Sequence, residues 1–217
     1  GVGMNRGRPR TRPCVVIAGG REPPHFTAYP HHQYLHTVGA LRFGNDGSLL
    51  VSIGDGAQFS YLDAGGHDPG LFLPGRSDSL ENIGAFRAQY LGSLAGKILR
   101  IDPATGHGYP ANPFWDGDPM SVRSRVWSYG VRNSFRFGVR PGTGSPLPGD
   151  ASPGTLYVGD VGWLTWEEIN VVKAAGRNFG WPCYEGAFAQ PEYQAANPAH
   201  SGCDSIGTPS NPSLPSA

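Results

Sequence analysis

Charge is scarce in this sequence, and neither sign prevails. Of its 217 residues 16 % are charged, and 17 basic side chains face 17 acidic ones. Binding driven by phosphate neutralisation needs a basic surplus, so a nucleic-acid partner is excluded. Long apolar runs are missing too. None reaches the roughly 18 residues that a membrane span requires. No stretch carries helix-length apolar periodicity, which excludes a helical bundle, a coiled coil and the βαβ units of a dinucleotide fold. Cysteine is limited to Cys14, Cys183 and Cys203. There is no phosphate loop, Gly-x-Ser-x-Gly elbow, His-Glu-x-x-His helix, paired Cys-x-x-Cys or EF-hand loop. No signal peptide is visible from Gly1 onward, and Gly1 is not expected to be the natural start.

Turn chemistry is abundant. Glycine (33) and proline (21) make up about a quarter of the chain, twice the roughly 12 % of an average domain. Aromatic residues, at 11 %, set it apart from disordered polar chains. Short β-branched and aromatic runs between frequent turns predict an all-β fold. The expected strands are Val38–Phe43, Leu49–Ile53, Gly96–Asp102, Val126–Tyr129, Phe135–Val139, Thr155–Val158 and Glu168–Val172. Asn45-Asp46-Gly47 is a hairpin turn signal between the first two. Residues 57–92 form a long irregular insertion, a length that favours a functional loop.

Residues 1–33 are poorly patterned. Only Cys14–Ala18 is strand-like there, and His31 and His32 read as solvated. Residues 187–217 are expected to be an irregular, disordered tail. Cys183 and Cys203 could close a loop of about 20 residues, which would suit an oxidising compartment and leave Cys14 unpaired. Two reduced thiols are the alternative. A weak repeat relates Gly47-Ser-Leu-Leu-Val51, with Gly54-Asp55 after it, to Gly154-Thr-Leu-Tyr-Val158, with Gly159-Asp160 after it. The offset is 107 residues, and Gly96–Asp102 falls near its midpoint. A unit of about 50 residues fits a four-stranded propeller blade and predicts three to four blades here. A propeller ring must close to hide its edges, so these blades would belong to a larger ring. A β-sandwich is the alternative architecture.

Several motifs recur in a recognisable order: His36-Thr-Val-Gly-Ala-Leu-Arg-Phe43, Asp46-Gly-Ser-Leu-Leu-Val-Ser-Ile-Gly-Asp55, Ser93-Leu-Ala-Gly-Lys-Ile-Leu-Arg-Ile-Asp102, Tyr129-Gly-Val-Arg-Asn-Ser-Phe-Arg-Phe137, Gly159-Asp-Val-Gly162, Trp166-Glu-Glu-Ile-Asn170 and Asn178-Phe-Gly-Trp-Pro182. From about residue 34 to 186 the set closely resembles the glucose/sorbosone dehydrogenase family. That resemblance implies a β-propeller, six-bladed in complete members, that oxidises sugars with pyrroloquinoline quinone (PQQ) and calcium. It implies a sugar substrate, an external electron acceptor and a periplasmic or secreted location. Residues 34–186 would then be a partial propeller, and further PQQ contacts are expected beyond Ala217.

Sugar oxidation needs a group that removes the hydroxyl proton as hydride departs, and a neutral imidazole suits that role near neutral pH. By resemblance His36 is this base. Asp55 ends the strand paired with the one after His36, and a carboxylate there would fix the imidazole tautomer. Arg132 would stabilise charge developing on the quinone, and Asn133 would bond the cofactor edge. Calcium would sit on the main-chain carbonyls of Gly162 and Trp163, with Asp160 and Glu167 as lesser ligand candidates. Val161 and Trp163 stand where some members have Gln and Pro. Arg136 reads as structural. Trp163, Trp166, Phe179, Trp181 and Tyr184 could stack on a sugar, but packing between blades is the favoured reading for Trp166 and Trp181. Two other readings remain open on sequence alone: a non-enzymatic binding module on the same fold, and an inactive piece of the enzyme.

Overall fold

The structure, a computed structural model, describes residues 36–66, 79–196 and Cys203. Cys14, His31, His32, the strand expected at Cys14–Ala18 and most of the expected disordered tail lie outside the described residues.

Two antiparallel sheets dominate. The first has four strands in sequential order: β1 (Val38–Phe43), β2 (Leu49–Ile53), β3 (Lys97–Ile101) and β4 (Val126–Tyr129). The second is β5 (Arg136–Val139), β6 (Leu156–Asp160) and β7 (Glu168–Val172), also in order. A two-stranded ribbon follows, β8 (Tyr184–Glu185) and β9 (Phe188–Ala189). Consecutive meanders of this kind are the arrangement of propeller blades. The all-β expectation holds, and the observed strands match the sequence reading closely. Among the described residues helix is limited to single turns, α1 (Val122–Arg125) and α2 (Pro191–Ala196), and short 3₁₀ segments such as Gly84–Ala88. The ribbon and α2 place ordered structure at 188–196, inside the stretch expected to be irregular.

The repeat has a different meaning from the one its spacing suggests. Its two copies are β2 and β6, the second strands of consecutive sheets, while Gly96–Asp102 supplies β3 of the first sheet. The 107-residue offset is therefore one step from sheet to sheet. The 57–92 insertion and the turns at 103–121 lie inside the first sheet and stretch it. For the same reason Arg132 lies on the connection between adjacent sheets.

The sheets pack through alternating apolar residues. Leu50, Ile98, Trp127 and Val131 meet Phe137, Leu156, Val158 and Val172, with Phe179 sealing the cluster. In β6 and β7 the alternate side chains Tyr157 and Ile169 are exposed. All five residues of β3 are buried, because β2 and β4 flank it. Its two cations are consequently internal. Arg100 forms a fully buried ion pair with Asp46 of the β1–β2 turn at 2.7 Å. Lys97 donates its ammonium to the carbonyls of Arg87, Ala88 and Ala95 at 2.8, 2.9 and 2.7 Å. Burial pushes Lys97 down to about 7.

A second cluster joins the insertion to the C-terminal segment: Ala57, Ala85, Phe86 and Ala88 pack on Trp181, Cys183, Tyr193 and Cys203. Cys183 and Cys203 form a disulfide, with Cα atoms 5.5 Å apart. This is the pairing the spacing allowed.

Candidate active site

Strand register brings the first two site residues together. Val38 pairs with Ile53 across β1 and β2. His36 stands two residues before Val38 and Asp55 two after Ile53, so both emerge at one end of the hairpin. His36 adopts a left-handed backbone conformation, φ 69°, and folds back over Gly54. A Cβ at position 54 would strike the His36 carbonyl oxygen and lie 2.5 Å from the His36 Cβ. Only glycine fits there.

The His36 Nδ1 lies 2.8 Å from Asp55 Oδ1. Asp55 is fully buried, and both of its carboxylate oxygens accept hydrogen bonds. Oδ1 also accepts the Ala57 N–H at 3.0 Å, and Oδ2 accepts the Trp181 indole N–H at 2.8 Å. A carboxylate that accepts from Nδ1–H leaves the lone pair of the neutral ring on Nε2. No described residue bonds Nε2. The insertion supports this pair from behind. Arg87 of the 3₁₀ segment donates to the carbonyls of Asp55 at 3.1 Å and Gly56 at 2.7 Å, while Lys97 holds the end of that segment.

Arg132 and Asn133 follow β4. Their backbone N–H groups donate to opposite oxygens of Asp160, at 3.0 and 2.6 Å. Asp160 ends β6, so this carboxylate ties the connection to the second sheet. Burial, with the Glu168 carboxylate nearby, pushes Asp160 up to about 8. The Arg132 guanidinium lies over the Trp181 ring, 5.4 Å from its centroid. Its Nη1 donates to the carbonyls of Val161 and Gly162 at 2.9 and 2.6 Å. The Asn133 side-chain amide is half-buried and bonds no described residue.

The expected calcium loop lies beside Arg132. The Gly162 carbonyl is taken by the Arg132 cation, which would repel a second cation on the same oxygen. The Trp163 N–H donates to Glu185 Oε1, which also accepts from Leu164, Thr165 and Trp166 at 3.1, 3.2 and 3.4 Å. Asp160 is occupied with backbone, and Glu167 accepts the Gly162 N–H at 3.2 Å. Among the described residues no cluster of three or more His, Cys, Asp or Glu could hold a metal ion. In this arrangement the Gly162 carbonyl accepts from the Arg132 guanidinium.

A model of the Glucose / Sorbosone dehydrogenase family matches residues 25–206. The chain belongs to the glucose/sorbosone dehydrogenase family. The HIPL1 protein of Arabidopsis thaliana is 29 % identical over 153 residues, covering 70 % of this chain and 19 % of that protein. The aldose sugar dehydrogenase YliI of Escherichia coli is 30 % identical over 95 residues, covering 44 % of this chain and 22 % of that protein. The PQQ-bound form of the aldose sugar dehydrogenase from Streptomyces coelicolor is 29 % identical, with a TM-score of 0.45, over 70 % of this chain and 32 % of that one. The chain spans about a fifth of the length of the curated relatives it matches.

In this glucose/sorbosone dehydrogenase segment, four residues from distant positions form one contiguous group: His36, Asp55, Trp181 and Arg132. Three supports escape sequence reasoning. Trp181 reads as packing, yet its N–H bonds Asp55. Asp160 reads as a lesser metal ligand, yet it holds backbone. Arg87 carries no signal beyond lying in an unusually long insertion. The packing reading of Trp166 is corrected: it is half-exposed and stacks on exposed Phe188 with centroids 6.0 Å apart. No helix among the described residues is long and apolar enough to cross a membrane.

Proposed function

We propose that this chain carries the proton-accepting part of a PQQ-dependent aldose dehydrogenase. The observation that carries the reading is the His36–Asp55 pair, oriented through Nδ1 and joined through Trp181 to a buried arginine whose side chain bonds no carboxylate among the described residues. Arg132 and Asn133 suit PQQ, an anionic group with three carboxylates and an ortho-quinone. The guanidinium supplies uncancelled positive charge, and the Asn133 amide has hydrogen-bonding capacity to spare. PQQ, when bound, supplies the oxidant that takes hydride from the sugar carbon.

The protein's own part is proton handling and electrostatics. Asp55 holds the His36 proton on Nδ1, so Nε2 faces the substrate hydroxyl as an acceptor. Nε2 takes that proton, and Asp55 stabilises the imidazolium that results. Arg132 sets a positive potential beside the cofactor. Calcium is assigned no step, because the Gly162 carbonyl is engaged by Arg132. An external acceptor reoxidises the cofactor. The Cys183–Cys203 disulfide supports a periplasmic or secreted location.

The test is sugar-dependent dye reduction by the complete protein reconstituted with PQQ. His36→Ala should lower kcat by about 10² to 10⁴, the range for loss of a general base, with PQQ binding kept. Arg132→Ala should impair both. Wild-type turnover in His36→Ala would remove the base assignment. Failure of the wild type to oxidise any aldose would favour a binding module instead.

A further inference from the structure

We infer that Trp181 is a positioning residue for both halves of the site. Its indole N–H locks the Asp55 carboxylate that orients His36, and its ring face seats the Arg132 guanidinium. The inference rests on the reading of His36 as the base.

The Asp55 carboxylate is held unevenly. Among the described residues Oδ1 has two partners, His36 and the Ala57 N–H, whereas Oδ2 has the Trp181 indole N–H alone. Without that donor, Oδ2 would be a buried oxygen with nothing to accept from, a costly state. The torsion that turns a carboxylate is soft, so the group could then rock about its Cβ–Cγ bond and carry Oδ1 out of line with His36 Nδ1. His36 would lose its fixed partner.

Trp181 is itself immobilised. Its backbone N–H donates to the Gly130 carbonyl at 3.0 Å, and its carbonyl accepts the Gln89 amide at 2.5 Å. Tyr193 and Trp163 wall the ring edge-on, at centroid distances of 5.1 and 6.4 Å. The Arg132 cation lies over the ring within cation–π range. A backbone bond closes the circuit: the Asp55 N–H donates to the Arg132 carbonyl at 2.8 Å. Asp55, Trp181 and Arg132 thus form a closed triangle. Turning the indole to break one contact breaks the other. The two contacts use different parts of the residue, and substitution can separate them. Phenylalanine keeps a ring for Arg132 but has no N–H for Asp55. Leucine removes both.

The experiment uses the complete protein. In the wild type the Trp181 indole N–H should resonate downfield and exchange slowly, and the His36 Nδ1–H should be observable by proton NMR. In Trp181→Phe the Nδ1–H signal should broaden or vanish. With PQQ as the probe, its affinity should stay within about twofold of wild type, while kcat falls about 10- to 100-fold, the range for one lost hydrogen bond to a charged group. In Trp181→Leu the PQQ affinity should also fall, by about 3- to 30-fold, the range for a lost cation–π contact. A residue that merely packs would move affinity, turnover and melting temperature together in both variants. Trp181→Phe with an intact Nδ1–H signal overturns the inference, as does a loss of PQQ affinity equal to that of Trp181→Leu. If neither variant folds, the wild type still decides, because a fast-exchanging Trp181 indole N–H overturns it. If the wild type oxidises no sugar, the functional reading fails while the NMR measurements still judge Trp181.

Discussion

Replacing Gly54 by alanine should disable the site from a position that bears no functional group. The added methyl would run into the His36 carbonyl oxygen and sit 2.5 Å from its Cβ and 2.8 Å from its carbonyl carbon. Ordinary contact begins near 3.4 Å, so His36 or Gly54 must retreat by roughly 1 Å. Both are tethered: the Gly54 N–H donates to Thr37 at 2.9 Å and the Gly54 carbonyl accepts from Gly96 at 2.9 Å, while the His36 ring is bonded to Asp55. Overpacking of this kind costs about 1–3 kcal/mol. In a chain of this size that lowers Tm by roughly 2–4 °C per kcal/mol. The retreat also breaks the 2.8 Å His36–Asp55 bond, and a misplacement of about 1 Å can cost around 10²-fold in turnover. Gly47→Ala is the control. Gly47 sits in the β1–β2 turn at φ 77°, and a methyl group added there would meet no atom within 4 Å. It should therefore lose about 1–2 kcal/mol from backbone strain alone and leave His36 in place. Melting curves and dye-reduction rates on both variants separate the effects. Equal turnover in Gly54→Ala and Gly47→Ala would refute the reasoning.

The disulfide closes a loop with a sequence separation of 20, and reducing it should cost about 3 kcal/mol by loop entropy. Thiol titration of unfolded, unreduced protein should find one thiol, that of Cys14; three would disprove the bridge. Asp160 predicts a pH dependence. Its folded value of about 8 lies above the ordinary 3.8, so the native state holds the extra proton between these values. Its contribution to stability is full below about 3.8 and is lost as pH rises to about 8. Urea titrations across that window should show a smaller decline in Asp160→Asn than in wild type, and parallel slopes would refute the assignment. Lys97 acts in the opposite sense at higher pH. Its folded value of about 7 lies below 10.5, so its contribution is full above 10.5 and is lost as pH falls through 7.

Strands were legible because their signals are local. Val38–Phe43, Leu49–Ile53 and Glu168–Val172 alternate or cluster β-formers between turn residues, and no distant partner is needed to recognise them. The His36–Asp55 encounter was legible for a related reason: a hairpin converts sequence spacing into register. Blade spacing was not legible, because an insertion inside a sheet looks the same in sequence as a connection between sheets. Trp181 was not legible either. Its partner Asp55 is 126 positions away, and nothing local separates a tryptophan that packs from one that donates. The partner of the Gly162 carbonyl was not legible at all. Main-chain carbonyls accept from any donor, and sequence could not show that Arg132 reaches the Gly162 oxygen first.

The two buried arginines show what sequence leaves out. Arg100 lies within β3 and Arg132 on the connection after β4, and both carry aromatic neighbours: Tyr109 and Trp127 for one, Trp181 for the other. Arg100 is neutralised. Asp46 accepts from its Nε and Nη2 at 2.9 and 2.7 Å, Asn112 accepts from Nη1 at 2.9 Å, and the Pro148 carbonyl accepts as well. A cation so enclosed projects little field, and its work is to pin the β1–β2 turn to β3. Among the described residues the Arg132 side chain donates only to the neutral carbonyls of Val161 and Gly162. The nearest carboxylate in its bonding scheme, Asp160, is engaged by its backbone N–H. Dipoles stabilise a charge without cancelling it, so the potential of Arg132 extends beyond the protein's own atoms. A buried charge left uncancelled is expensive, and it persists where an anion completes it. The distinction between the two arginines lies in what surrounds each guanidinium, and it supports the proposal that Arg132 meets an anionic ligand while Arg100 serves the fold.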